Sequence, residues 1–123
     1  MTNDKTTREV SQRLKACDFI GEHEYCYYLT PQGYVLFHKD SINDYKKDCP
    51  VYSASTLFEW LREWKKKYTD KWFSLDTYSD GTIQFEVWIE KPHIIKKFEY
   101  KTSLADMLAE SIIWILTQEK ENK

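Results

Sequence analysis

The chain has 123 residues, of which 41% are apolar, 31% charged and 16% aromatic, with only three Gly and three Pro. Eighteen Lys and Arg against twenty Asp and Glu leave a formal charge of −2, so no global field draws the protein to nucleic acid or anionic lipid, and any binding surface must be local. Leu, Ile, Val and Phe number 28, about 23% of the chain, which exceeds the content of disordered segments, and the scarcity of Gly and Pro excludes collagen-like, linker-like and glycine-loop nucleotide-binding architectures.

Residues 1–5 read as a polar tail. Thr6-Thr7-Arg8-Glu9 then has capping-box spacing, and Val10, Leu14 and Cys17 recur at i, i+4 and i+7, which predicts a surface helix ending near Gly21. The tyrosine-rich run Glu24 to Leu29 favours a strand, Thr30-Pro31-Gln32-Gly33 places Pro and Gly where a tight turn wants them, and Tyr34 to His38 returns as a second strand. Residues 39–53 show little periodicity and read as a long polar connection.

Thr56-Leu57-Phe58-Glu59 is a second capping box, and Leu57, Leu61, Trp64 and Tyr68 share one face of the helix that it opens. Trp72 to Thr77 and Thr82 to Glu90 bracket Tyr78-Ser79-Asp80-Gly81, whose Asp-Gly step signals a hairpin. In the second of these strands Ile83, Phe85, Val87 and Ile89 alternate with polar residues, and Trp88 alone breaks the polar face. Lys91-Pro92-His93 reads as a turn and Ile94 to Lys101 as a third strand. A last helix begins at Ser103, with Asp106 in capping position, and runs towards Gln118, leaving 119–123 as a polar tail. Its apolar arc is wider than a one-sided surface helix needs, so either elements of the same chain cover it or it meets a second subunit.

These elements predict a single α+β domain spanning 1–123, in the order αββαβββα, with helices on one face of one twisted antiparallel sheet and an aromatic-rich core. The longest apolar run, Ile112 to Leu116, is far shorter than a bilayer span, and the first ten residues lack a hydrophobic segment. A cytoplasmic protein is the expectation.

Candidate chemistry is sparse. Cys17, Cys26 and Cys49 are odd in number and fit neither a disulfide framework nor zinc-site spacing, and His23, His38 and His93 are equally scattered, so no metal is expected. There is no glycine-rich phosphate loop, nucleophile elbow or zinc-protease helix. His23 and Cys26 fall on opposite faces of a strand, and Asp76 and Glu86 read as solvated or Lys-paired strand residues rather than an acid/base couple. Neither an enzyme nor a cofactor is expected. Tyr25, Tyr27, Tyr45, Tyr52 and Trp88, with Trp114 on the flank of the last helix, are candidates for an interaction surface, because Tyr and Trp dominate the energetics of protein interfaces. The alternative is nucleic acid. From Thr56 to Gln118 the order helix, three strands, helix is that of a double-stranded-RNA-binding domain, with Lys65, Lys66, Lys67 and Lys71 as candidate phosphate contacts. Where that family carries lysines, at the start of its second helix, this chain has Asp106 and Glu110.

Two segments, Cys49 to Glu63 and Phe98 to Leu108, resemble small proteins encoded in phages and prophages of gut Bacteroidetes, in which a Tyr-x-Ala-x-Thr-Leu start leads into a Trp-Leu-Arg-Glu helix. The resemblance covers roughly Leu14 to Leu116 and rests on capping and core residues. It implies a fold, and it attaches no activity, cofactor or catalytic residue to any position. The expectation is a non-enzymatic, phage-derived protein that binds another protein, or itself through the last helix.

Overall fold

The computed structural model describes residues 5–90, 94–100 and 103–121. Its elements are α1 (Arg8–Ala16), β1 (Tyr25–Thr30), β2 (Gly33–His38), β3 (Lys46–Val51), α2 (Ala54–Lys67), β4 (Lys71–Thr77), β5 (Ile83–Ile89), β6 (Ile94–Tyr100) and α3 (Leu104–Glu121). The α+β class is as expected, but the strands form two antiparallel sheets, β2-β1-β3 and β4-β5-β6, where one was predicted. The expected turn Lys91-Pro92-His93 lies outside the described residues.

The added strand, β3, corrects the reading of 39–53 as an unbroken connection. It carries Lys46, Lys47 and Pro50 and is bulged where its register shifts between Tyr27 and Tyr28, features of an edge strand that erase period-2 alternation. β1 is buried on the side of Cys26, Tyr28 and Thr30, and β3 satisfies the backbone groups that β1 turns away from β2.

Both capping expectations shift. The cap of α2 is Ser53, whose Oγ accepts the Thr56 N–H at 3.3 Å, so the helix opens one turn before the predicted box. Thr7 caps α1 without a side-chain bond; its N–H donates instead to Asp106 Oδ1 on α3, at 2.8 Å. Thr6 is a buried clasp between the chain start and the approach to α2. It donates its N–H to the Tyr52 carbonyl at 2.9 Å, and its Oγ1 accepts the Tyr52 N–H at 3.1 Å.

Nor does α1 reach Gly21. Asp18 takes the left-handed conformation at φ 61°, while Phe19 N–H donates to the Leu14 carbonyl and Asp18 N–H to that of Lys15, which is a Schellman ending closed by a buried aromatic. The β4–β5 hairpin turns through Ser79, Asp80 and Gly81, with only Gly81 at positive φ, the three-residue form rather than the two-residue Asp-Gly turn.

The core lies between α3 and the inner face of β4–β6, where Phe85 and Val87 are fully buried. α3 contacts α1, α2, β5 and β6, so elements of the same chain cover its wide apolar arc. The helices do not share one face of one sheet: α1 spans from β3 to α3, and α2 lies beside α3 and β4. α3 also runs into the predicted 119–123 tail as far as Glu121, and Glu119 accepts the Trp64 Nε1–H at 3.2 Å.

Candidate interaction surface

The predicted aromatic residues do not form one patch. Tyr52, expected at a surface, is 3% exposed and meets the Phe19 ring edge-on at 4.9 Å, so it is a core residue. Tyr27 is half-buried, and burial pushes its phenol up. Tyr25 is half-buried beside His38, with Lys5 Nζ 5.2 Å from its ring centroid. Trp88 is half-buried against Trp72 on the outer face of the second sheet, with ring centroids 5.1 Å apart. Trp114 is half-buried on α3. Tyr45 is exposed and stacks on Phe37 at 6.1 Å.

The basic stretch does not converge either. Lys65, Lys66 and Lys67 form the exposed last turn of α2, and Lys66 pairs with Glu63 at 3.4 Å. Lys71 folds over the Tyr68 ring at 3.7 Å. At the start of α3, Asp106 is buried and Glu110 binds Arg13 at 2.6 Å.

The four sheet edges, in contrast, differ sharply. Exposed edges template the addition of another chain, and proteins blunt them with Lys, Pro, bulges or covering elements. β3 has two lysines, Pro50 and its bulge. β4 carries Lys71 and Asp76 and is flanked by α2, and β6 carries Lys96, Lys97 and Glu99. β2, Gly-Tyr-Val-Leu-Phe-His, has none of these, and Tyr34, Val35 and Leu36 are 40%, 38% and 41% exposed.

Ladder parity identifies which backbone groups β2 presents. Lys39 N–H donates to the Glu24 carbonyl at 2.7 Å, next to the opposed pair Tyr25 and His38. Antiparallel alternation then makes Cys26–Phe37, Tyr28–Val35 and Thr30–Gly33 the hydrogen-bonded pairs. The N–H and C=O of Tyr34 and Leu36 therefore point away from the sheet, and among the described residues nothing pairs with them. The carbonyl of His38 is taken by Ser41 N–H at 2.9 Å, so the open stretch ends there. The strand is held from both faces: the Arg8 guanidinium lies 3.4 Å over the Tyr34 ring, and Phe37 is wedged between Tyr28 and Tyr45. Nothing in the sequence pattern marks β2 as an outer strand, because an uncharged run is what a central strand shows.

A cleft of about 720 Å³ lies between the first sheet and the start of α2, bordered by Lys5, His23, Tyr25 and Lys39 and also by Glu22 and Glu24. Its cations are matched by carboxylates, and the Thr56 amide in the first turn of α2 is already capped by Ser53. Among the described residues no cluster of His, Cys, Asp and Glu could hold a metal ion, and no helix is long and apolar enough to cross a membrane.

All three cysteines are free thiols. Burial, followed by the hydrogen bond to Asp48 and that residue's charge, pushes Cys49 up to about 12, and burial raises Cys26. At pH 8 a thiol reagent should modify half-buried Cys17 first and reach Cys26 and Cys49 only on unfolding. Three equally fast thiols would show the interior of the first sheet to be open. Because the folded Cys49 thiol ionises later than an unfolded one at 9.0, its contribution to stability is complete below about 9 and falls as pH rises towards about 12.

No protein family, curated protein or solved structure matches the chain.

Proposed function

We propose that the chain is a non-enzymatic protein-interaction module, of phage origin, that docks an extended polypeptide segment on the open edge of β2. The phage origin rests on the resemblance of Cys49 to Glu63 and Phe98 to Leu108 alone. One observation carries the docking reading: β2 is the one strand of the four sheet edges without charge, proline or bulge, and it directs the free backbone groups of Tyr34 and Leu36 outward. Strand addition draws affinity from main-chain hydrogen bonds and specificity from alternate side chains, and an edge already fixed by Arg8, Tyr28 and Tyr45 loses little entropy on binding.

The test is a display library of ten-residue peptides panned against the whole chain. Binders should weaken at least tenfold against Leu36→Pro, which removes an outward N–H without touching the ladder to β1, and should change little with added salt. A screen whose binders all ignore that substitution overturns the reading. Binding of duplex RNA or DNA that weakens steeply with salt would favour the nucleic-acid alternative through Lys65 to Lys71.

A further inference from the structure

Building on strand docking at β2, we infer that the segment seated there is β2 of a second copy of this chain, antiparallel to the first, about a twofold axis through Val35. The free edge is self-complementary in that register and no other partner chemistry is written into it. Tyr34 and Leu36 supply four outward groups, two N–H and two C=O. With the axis at Val35, Tyr34 of one copy opposes Leu36 of the other, so all four groups in each copy are satisfied by the corresponding groups in its mate.

The side chains agree with the backbone. Val35 meets its own equivalent in a non-hydrogen-bonded pair, the closer spacing that suits β-branched residues. Phe37 falls opposite Gly33 of the second copy, where the ring needs space. A Cβ added at Gly33 would find nothing within 4 Å, so that position is open. No charged side chain lies between Gly33 and Phe37, and the Arg8 guanidinium held over Tyr34 is paired with Asp48 at 3.3 Å, so two copies of the strand meet without uncompensated like charge.

The assembly is also closed. Joining two copies gives a six-stranded sheet, β3-β1-β2 followed by β2-β1-β3, whose outer strands carry Lys46, Lys47, Pro50 and the bulge. Pairing therefore stops at two, as a twofold interface requires.

Sedimentation velocity of the whole chain over about 1–300 µM reads this directly. The weight-average mass should rise from the 14.9 kDa of one chain towards twice that value. Leu36→Pro should weaken association at least tenfold, and Val35→Lys, which keeps the backbone intact but places two cations on the axis, should do the same. In a Cys17→Ser background, mild oxidation should link Val35→Cys chains into dimers, because the opposed Cβ atoms come within disulfide reach, while Leu36→Cys should stay largely unlinked. A single-chain mass at every concentration, a dimer that survives both substitutions, or equal cross-linking at 35 and 36 overturns the inference. A chain that remains single while still binding library peptides through Leu36 overturns the second copy and leaves strand docking standing. A screen without Leu36-dependent binders from a chain that also stays single overturns both.

Discussion

Truncating Phe85 to Ala should lower the stability of the folded chain by about 3–5 kcal/mol, as expected for a large aromatic removed from a site that cannot collapse. Phe85 is fully buried at the centre of β5. It is opposed by Leu75 on β4 and Phe98 on β6, its ring is 5.3 Å from that of Phe73, and α3 closes the layer above. Rigid elements bound it on every side, so the cavity would persist and the neighbours would lose both transfer energy and dispersion contacts. Urea denaturation at unchanged slope is the measurement. Ile42→Ala is the control: this side chain is fully exposed, and its loss should stay within about 0.5 kcal/mol. A loss below about 1 kcal/mol at Phe85 would mean that the core does not lie between α3 and the second sheet.

Proline substitution at two adjacent residues of β2 should give opposite outcomes. The N–H of Val35 faces Tyr28 across the ladder, so Val35→Pro removes a hydrogen bond and orphans the carbonyl of buried Tyr28. That costs about 1–3 kcal/mol before any change in side-chain packing. The N–H of Leu36 points out of the sheet, where proline is tolerated on an edge strand, and Leu36→Pro should cost under about 1 kcal/mol. Denaturant midpoints of the two variants decide the matter. Equal or reversed losses would place the free backbone groups on Val35 and Phe37 instead, and the docking geometry built on Tyr34 and Leu36 would fail. The contrast is informative because the two residues have nearly the same exposure and differ in the direction of their backbone groups.

The helices and the second hairpin were legible because their signals are local. Leu57, Leu61 and Trp64 repeat at helical spacing and are the buried residues of α2. Phe85, Val87 and Ile89 alternate and form the buried face of β5. Gly81 marks the hairpin turn through its positive φ. Where local signals compete, tertiary contacts choose between them. Two threonines offered plausible caps at Thr6 and Thr56, yet Thr6 was needed to clasp Tyr52, and Ser53 was free one turn earlier. Gly21 looked like the end of α1, but Asp18 could take the left-handed conformation because Phe19 folds back onto Leu14. Tyr52 illustrates the opposite error: its residue type suggested a surface role, and only the packing of Phe19 and His23 around it shows it to be core.

The sequence by itself determined the α+β class, the order of its strongly periodic elements, the wide burial of α3 and the absence of any recognisable catalytic motif, because these follow from residue type and spacing within a dozen positions. Tertiary structure alone decided that β3 exists, that the strands divide into two sheets, and that β2 is left as an open edge among the described residues. Those outcomes depend on which strands become neighbours. A backbone hydrogen bond satisfied by a residue twenty positions away leaves no periodic trace in either segment, and an edge is defined by the partner it lacks.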